Sequence, residues 1–148
     1  MPNTDEFYMQ QALKEAQKAY DEDEVPIGAV IVLKEKIIAR AYNQVEKLND
    51  STAHAEILAL TTAYNYLGSK YLPEATIYVT IEPCTMCAGA LYWSQIGKLV
   101  YAADDPKHGS ITTLKNGGKI LHPKTEVVSG VCKDKASSLI KSFFKQKR

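Results

Sequence analysis

Cysteine is scarce in this chain: three occur in 148 residues, an odd number, and two of them stand three apart. A disulfide framework rests on paired cysteines, so none is expected, and a reducing, cytoplasmic setting is the natural one. Long hydrophobic runs are also missing. No apolar stretch approaches the ~20 residues that a bilayer-spanning helix needs. The first residues, Met1 to Glu6, are polar and acidic, unlike a secretory leader. Repeats, low-complexity tracts and linkers are absent, so nothing marks an internal boundary, and residues 1–148 are expected to form one domain. A 45% apolar and 24% charged composition is that of an ordinary globular protein. Its length suffices for a sizeable core.

An excess of one charge is lacking overall, since the net charge is only +1, but the two ends differ. Residues 1–24 hold seven acids and two lysines, whereas residues 99–148 hold ten bases and four acids. The last eight residues, Lys141 to Arg148, contain four bases and two phenylalanines. Such an end would attract an acidic nucleic acid. It is equally the composition of a solvated helix terminus whose lysines complement the helix dipole.

Periodicity divides the chain into alternating elements. Met9, Ala12, Leu13, Ala16, Ala19 and Tyr20 follow the 3.6-residue repeat and predict a helix from Asp5 to Tyr20, capped by Asn3 or Thr4. The acidic run Asp21 to Glu24 reads as a loop. Ile27 to Leu33 is almost wholly apolar, as in a strand buried on both faces. Lys34-Glu35-Lys36 then makes a hairpin turn into a second strand, Ile37 to Tyr42. A helix over Ala53–Tyr66, capped from Asp50 to Thr52, comes after it. Next come a strand at Thr76–Ile81, a helix from Cys84 to Trp93 and a strand from Lys98 to Ala102, which together form a right-handed parallel crossover. Asp104 to Pro123 reads as a long irregular loop. Glu126–Val131 and Asp134–Gln146 supply a last strand and helix. The sum is a three-layer α/β/α domain: a mixed central sheet that starts with a hairpin, with helices on both faces.

Chemistry concentrates in two short segments, His54-Ala55-Glu56 and Pro83-Cys84-Thr85-Met86-Cys87. On the first turn of a helix, cysteines three apart share a face about 5–6 Å apart at Cβ, so both sulfurs can reach one ion. Pro83 suits a helix start, and a helix N-terminus favours thiolates. His54 and Glu56 are two apart and would lie on opposite sides of a regular helix. They can converge only at a helix entrance. Two thiolates and one imidazole make three ligands, which is the count of a catalytic zinc site with a position left for water. Zinc brings the pKa of that water to roughly 7. A nearby carboxylate, Glu56, could then move protons to and from that water. A closed four-ligand site would need Cys132, His108 or His122, none at a ligand-like spacing from another donor.

H-x-E followed by P-C-x-x-C is the signature of the zinc-dependent nucleobase deaminases. Asp23-Glu24-Val25-Pro26-Ile27-Gly28-Ala29-Val30, Asn43, Thr52-Ala53-His54-Ala55-Glu56-Ile57 and Glu82-Pro83-Cys84-Thr85-Met86-Cys87-Ala88-Gly89-Ala90 resemble the bacterial tRNA-specific adenosine deaminases. The likeness runs from the first helix to Phe143-Phe144-Lys145. It implies the cytidine-deaminase-like fold, a homodimer with one Zn2+ per subunit, and conversion of adenosine to inosine at the wobble (first anticodon) position of tRNA. It implies His54, Cys84 and Cys87 as zinc ligands and Glu56 as the proton shuttle. Asn43 and Ala55 would meet the nucleoside. Asp105 and Lys107 lie in a segment that resembles the loop beside the active site, although Ser110 follows Gly109 where many members carry a longer glycine-rich run. Phe143, Phe144, Lys145 and Arg148 match a C-terminal helix that meets the anticodon stem-loop, offering rings for unpaired bases and cations for phosphates. Asn43 fits equally as a turn residue, and one of the two phenylalanines as a core anchor. The rival readings are a guanine or other free-base or nucleoside deaminase of the same fold, and a zinc-stabilised binding module without activity. Leu91-Tyr92-Trp93 resembles the residues after the second cysteine of guanine deaminases.

Overall fold

The computed structural model describes residues 4–113 and 120–147. Asn3, one expected cap of the first helix, and Arg148 lie outside the described residues, as do Gly117 and Gly118 of the expected loop. Helix α1 (Asp5–Asp21) starts where Thr4 accepts a hydrogen bond from the Phe7 N–H at 3.1 Å. Strands β1 (Gly28–Leu33) and β2 (Lys36–Tyr42) form the expected hairpin. Its loop is only Lys34-Glu35, at φ of 50° and 65°. Both residues take the positive φ that a two-residue turn matching the strand twist requires.

A short helix that the sequence did not suggest, α2 (Val45–Leu48), precedes α3 (Ala55–Leu67). Helix α3 begins two residues later than expected. Asp50 Oδ1 accepts from both N and Oγ1 of Thr52 at 2.8 Å, so these residues build a turn of their own, and His54 becomes the cap position. Strand β3 (Thr76–Ile81), helix α4 (Thr85–Ser94) and strand β4 (Lys98–Ala103) lie close to their expected bounds. The segment after β4 is less irregular than expected: a helical turn, α5 (Ser110–Thr113), lies within it. Strand β5 (Glu126–Ser129) stops short of Val131, because Gly130 turns the chain at φ 88°. Cys132 at φ 60° then leads into α6 (Lys133–Gln146). Among the described residues no helix is long and apolar enough to cross a membrane.

The sheet order is β2-β1-β3-β4-β5. Strand β1 is antiparallel to both neighbours, and β3, β4 and β5 are mutually parallel. Alternate residues feed two cores. Ala29, Ile31, Ile77, Val79, Leu99 and Tyr101 pack with Ala55, Ala59, Leu60, Ala88 and Leu91 of α3 and α4. Val30, Val32, Tyr78, Val100 and Ala102 pack on the other face with Met9 and Ala12 of α1 and Ala136 of α6. The expected three layers are therefore present, with near-continuous apolar strands because both faces are covered. Gly28 is required by this packing: a Cβ there would collide with the α1 backbone at Ala12 and Ala16.

Strand direction decides what meets at the sheet's carboxyl end. Because β1 runs against β3, the residues that enter it (22–27) lie beside the end of β3. Gly28 pairs with Tyr42, so the exit of β2 at Asn43 arrives at the same place. The ends of β3 and β4 add Glu82 to Cys84 and Asp104 to Asp105. Open α/β sheets bind ligands at the carboxyl ends of such strands.

Candidate metal centre and active-site cleft

Two helix starts meet at this edge. His54 is the cap residue of α3 (φ −77°, ψ 152°), and Cys84 is the cap residue of α4 (φ −73°, ψ 174°). Extended backbone at a cap swings the side chain over the helix mouth instead of along its flank. Glu56, in the first turn of α3, and Cys87, in the first turn of α4, complete the group. The helix entrance thus resolves the two-residue spacing of His54 and Glu56. His54 Nδ1 lies 3.7 Å from Cys84 Sγ and 3.5 Å from Cys87 Sγ. One donor atom from each of the three residues falls within 4.8 Å of the others. A nitrogen and two sulfurs at that separation are compatible with a metal site. Among the described residues Cys132, His108 and His122 do not join the cluster, so the set stays at three protein donors.

The electrostatics of the corner are uneven. Burial pushes the Glu56 carboxyl up to about 7, against the pull of its own backbone N–H and of His54. The hydrogen bond from Cys87 draws the Cys84 thiol down to about 4, with His54 helping, whereas the hydrogen bond to Cys84 and burial drive Cys87 upward. The hydrogen bond with Cys84 raises His54. Glu56 is 3% exposed, yet it faces the cleft.

That cleft has a volume of about 1440 Å³. Its lining includes His54, Glu56 and Cys84, together with Asn43, Ala55, Asp105, Lys107, Phe143 and Phe144. Asn43 is buried: its Nδ2 donates to the Val25 carbonyl at 3.2 Å, and its Oδ1 accepts from Val45 N at 3.4 Å. It is therefore both a turn residue and a wall of the cleft. The two phenylalanines divide. Phe143 is buried, edge-on to Tyr20 at 5.8 Å, and anchors α6 to the end of α1. Phe144 is 47% exposed on the rim. Lys145 is exposed and is not among the cleft-lining residues, whereas Lys141 and Lys147 are. Arg148 lies outside the described residues. Lys147 pairs with Asp23 and sits 5.5 Å over the Phe143 ring, which ties the tail to the acidic loop.

Two acids whose placement the sequence reading missed shape the walls. Glu24, expected in a loop, is 1% exposed; its carboxylate accepts from the backbone N–H groups of Glu46 and Lys47 at 3.0 and 2.7 Å and holds the start of α2. Glu82, which directly follows β3, is equally buried. Its oxygens accept from Asp105 N at 2.9 Å and Ile111 N at 2.7 Å.

Comparison with known proteins bears on this geometry. A family model for MafB19-like deaminases matches residues 3–148. The tRNA-specific adenosine deaminase of Bacillus subtilis (strain 168) is 47% identical over 146 residues, covering 97% of this chain and 91% of that protein. A solved structure from work on A-to-I editing by tRNA:A34 deaminases at the wobble position of transfer RNA superposes with a TM-score of 0.84. It is 43% identical and covers 89% of this chain and 97% of its own. A guanine deaminase from Nitrosomonas europaea superposes with a TM-score of 0.77 at 26% identity, covering 93% and 83% of the two chains.

Proposed function

The chain belongs to the MafB19-like deaminases and to the tRNA-specific adenosine deaminases, and on that premise we propose that it converts adenosine to inosine at the wobble position of tRNA by zinc-dependent hydrolysis. The observation that carries this reading is the cluster of His54, Cys84 and Cys87 at a cleft lined by His54, Cys84 and Glu56 and, opposite them, by residues of α6. Thiolate and imidazole donors suit zinc. His54 Nδ1 and the two cysteine sulfurs would hold one ion per subunit, which when bound makes water a usable nucleophile near neutral pH. Glu56 performs the proton transfers. It takes a proton from the attacking water and delivers it to the ring nitrogen next to the reacting carbon. It takes the second proton as the C–O bond is completed and gives it to the amine, which leaves as ammonia when the C–N bond breaks. A carboxyl lifted toward neutrality by burial can both accept and return a proton.

Asn43 and Ala55 form the wall against the nucleoside, and Asp105 and Lys107 the adjoining loop. The exposed ring of Phe144 can stack an unpaired base, and Lys145, Lys147 and Arg148 offer cations to phosphates of the anticodon stem-loop. Residues 1–148 act as one deaminase domain, as a homodimer in the cytoplasm where tRNA is available. A free-base deaminase is the second reading, favoured by the likeness to the guanine enzyme. Against it stands the cleft's size: sites for small ligands run to roughly 300–1,000 Å³, and this one is larger and opens onto an exposed ring. The test is inosine formation in a wobble-adenosine anticodon arm. Turnover there supports the proposal; turnover of guanine or cytidine alone overturns it.

A further inference from the structure

We propose that Glu82 is a positioning residue that fixes the loop from Asp105 to Ile111 in register with the metal corner, and so sets how tightly the nucleic-acid substrate is held. The inference rests on the functional reading above. Glu82 follows β3 directly and is 1% exposed. One carboxylate oxygen accepts from the N–H of Asp105 at 2.9 Å, and the other from the N–H of Ile111 at 2.7 Å. A single side chain therefore brackets the loop at both ends.

The interior of the loop is stitched to the same strand exit. Ser110 donates to the Pro83 carbonyl twice, from N at 3.0 Å and from Oγ at 2.8 Å. Gly109 forms a bridge with Cys84. A Cβ at position 109 would strike the Glu82 carboxyl group, so glycine there lets the carboxylate occupy its place. Within the loop, Asp105 Oδ1 accepts from Lys107 N and His108 N at 3.0 and 3.1 Å, and Gly109 N donates to the Asp105 carbonyl at 2.9 Å. Rotation of the Glu82 side chain would move Asp105, Lys107 and His108 together, and all three line the cleft. Glu82 precedes Pro83-Cys84, so loop and metal ligand are referred to one backbone segment.

An acid is suited to this position because both of its oxygens only accept. Glutamine keeps the shape but turns an amide toward one of the two N–H groups, leaving a donor against a donor. Hydrogen exchange and kinetics on Glu82→Gln and Gly109→Ala test the idea. In Glu82→Gln, amides of 105–111 should exchange at least about tenfold faster while those of β3 do not change, as expected when a loop loses a charge-assisted hydrogen bond. On the anticodon arm, KM should rise about tenfold with kcat within about threefold, the signature of lost uniform binding. Zinc content should remain full. Gly109→Ala should act in the same direction, and the double variant should be no worse than the poorer single one, because both disturb one and the same fit. Unchanged exchange over 105–111 in either soluble variant overturns the proposal. So does a fall in kcat that follows lost thermal stability while KM stays put. If Glu82→Gln fails to fold, Gly109→Ala decides. Failure of the wild type on the anticodon arm would overturn the functional reading instead, and the exchange measurement would still judge the loop.

Discussion

Glu56 and Phe144 face the same cleft, one 3% exposed on its floor and the other 47% exposed on its rim. The floor is held by secondary structure: His54, Glu56 and Cys84 leave two helix entrances, with Cys87 buried behind them, and α3 and α4 pack on the sheet. The rim is held by side chains. Helix α6 meets the rest of the cleft through the Phe143 anchor, the Lys147–Asp23 pair and the hydrogen bond between Tyr20 and Ser142. Bond-making needs a fixed geometry and little water, which burial supplies. Docking a loop of RNA needs rings and cations that can adjust, which exposure supplies. On the proposed function, one cleft would be graded from chemistry to recognition across the two faces of the sheet's carboxyl end.

The sharpest way to break that contrast is to remove the metal. A strong chelator should abolish inosine formation, zinc should restore it, and the melting temperature should drop with the metal, because binding stabilises only the folded state. Glu56→Ala comes next. Single-turnover inosine formation should fall by about 10³-fold, within the range of a lost general acid–base, while metal analysis shows zinc still bound. Zinc lost along with activity would make Glu56 a ligand and merge the two roles that the floor keeps apart.

Phe143 and Phe144 test the rim. Phe143→Ala should cost about 3 kcal/mol in denaturant unfolding, as for a buried ring. Phe144→Ala should leave unfolding almost untouched and raise KM for the anticodon arm about tenfold, as when one base has no ring to stack on. Equal stability losses from both would mean that the rim is built like the floor. The smallest effect belongs to the cations. Lys145→Ala or Lys147→Ala should each reduce the salt dependence of tRNA binding by about 0.7 for every phosphate left without its cation. Loss of the exposed Lys147–Asp23 pair should cost under about 1 kcal/mol of stability. A salt slope identical to wild type would return the basic tail to a solvated helix end.

What could be read from the sequence divides along the same line. The almost wholly apolar run Ile27–Leu33 announced a strand covered on both faces, and α1 and α3 do cover β1. The three ligand candidates were legible because their spacing is local to two helix starts. Glu24 was not. Its burial depends on N–H groups of Glu46 and Lys47, more than twenty residues away, and an acidic run gives no sign of such a partner. Glu82 and Gly109 fit each other across the gap between β3 and the loop after β4, a complementarity that exists only once the strands are side by side. The start of α3 was misplaced for a related reason. Asp50 and Thr52 have the chemistry of a cap, but they use it on each other.

Thr4 caps α1 with its side chain, whereas His54, the cap residue of α3, makes no capping hydrogen bond to its helix. On the zinc reading proposed above, coordination rather than capping would occupy that side chain. A serine or aspartate in its place could accept from a first-turn N–H of α3, a cap worth about 1 kcal/mol. His54→Asp should in that case steady the metal-free protein by about 1 kcal/mol and weaken the zinc-loaded one, because the lost ligand takes with it the larger stabilisation that a bound ion gives the folded state.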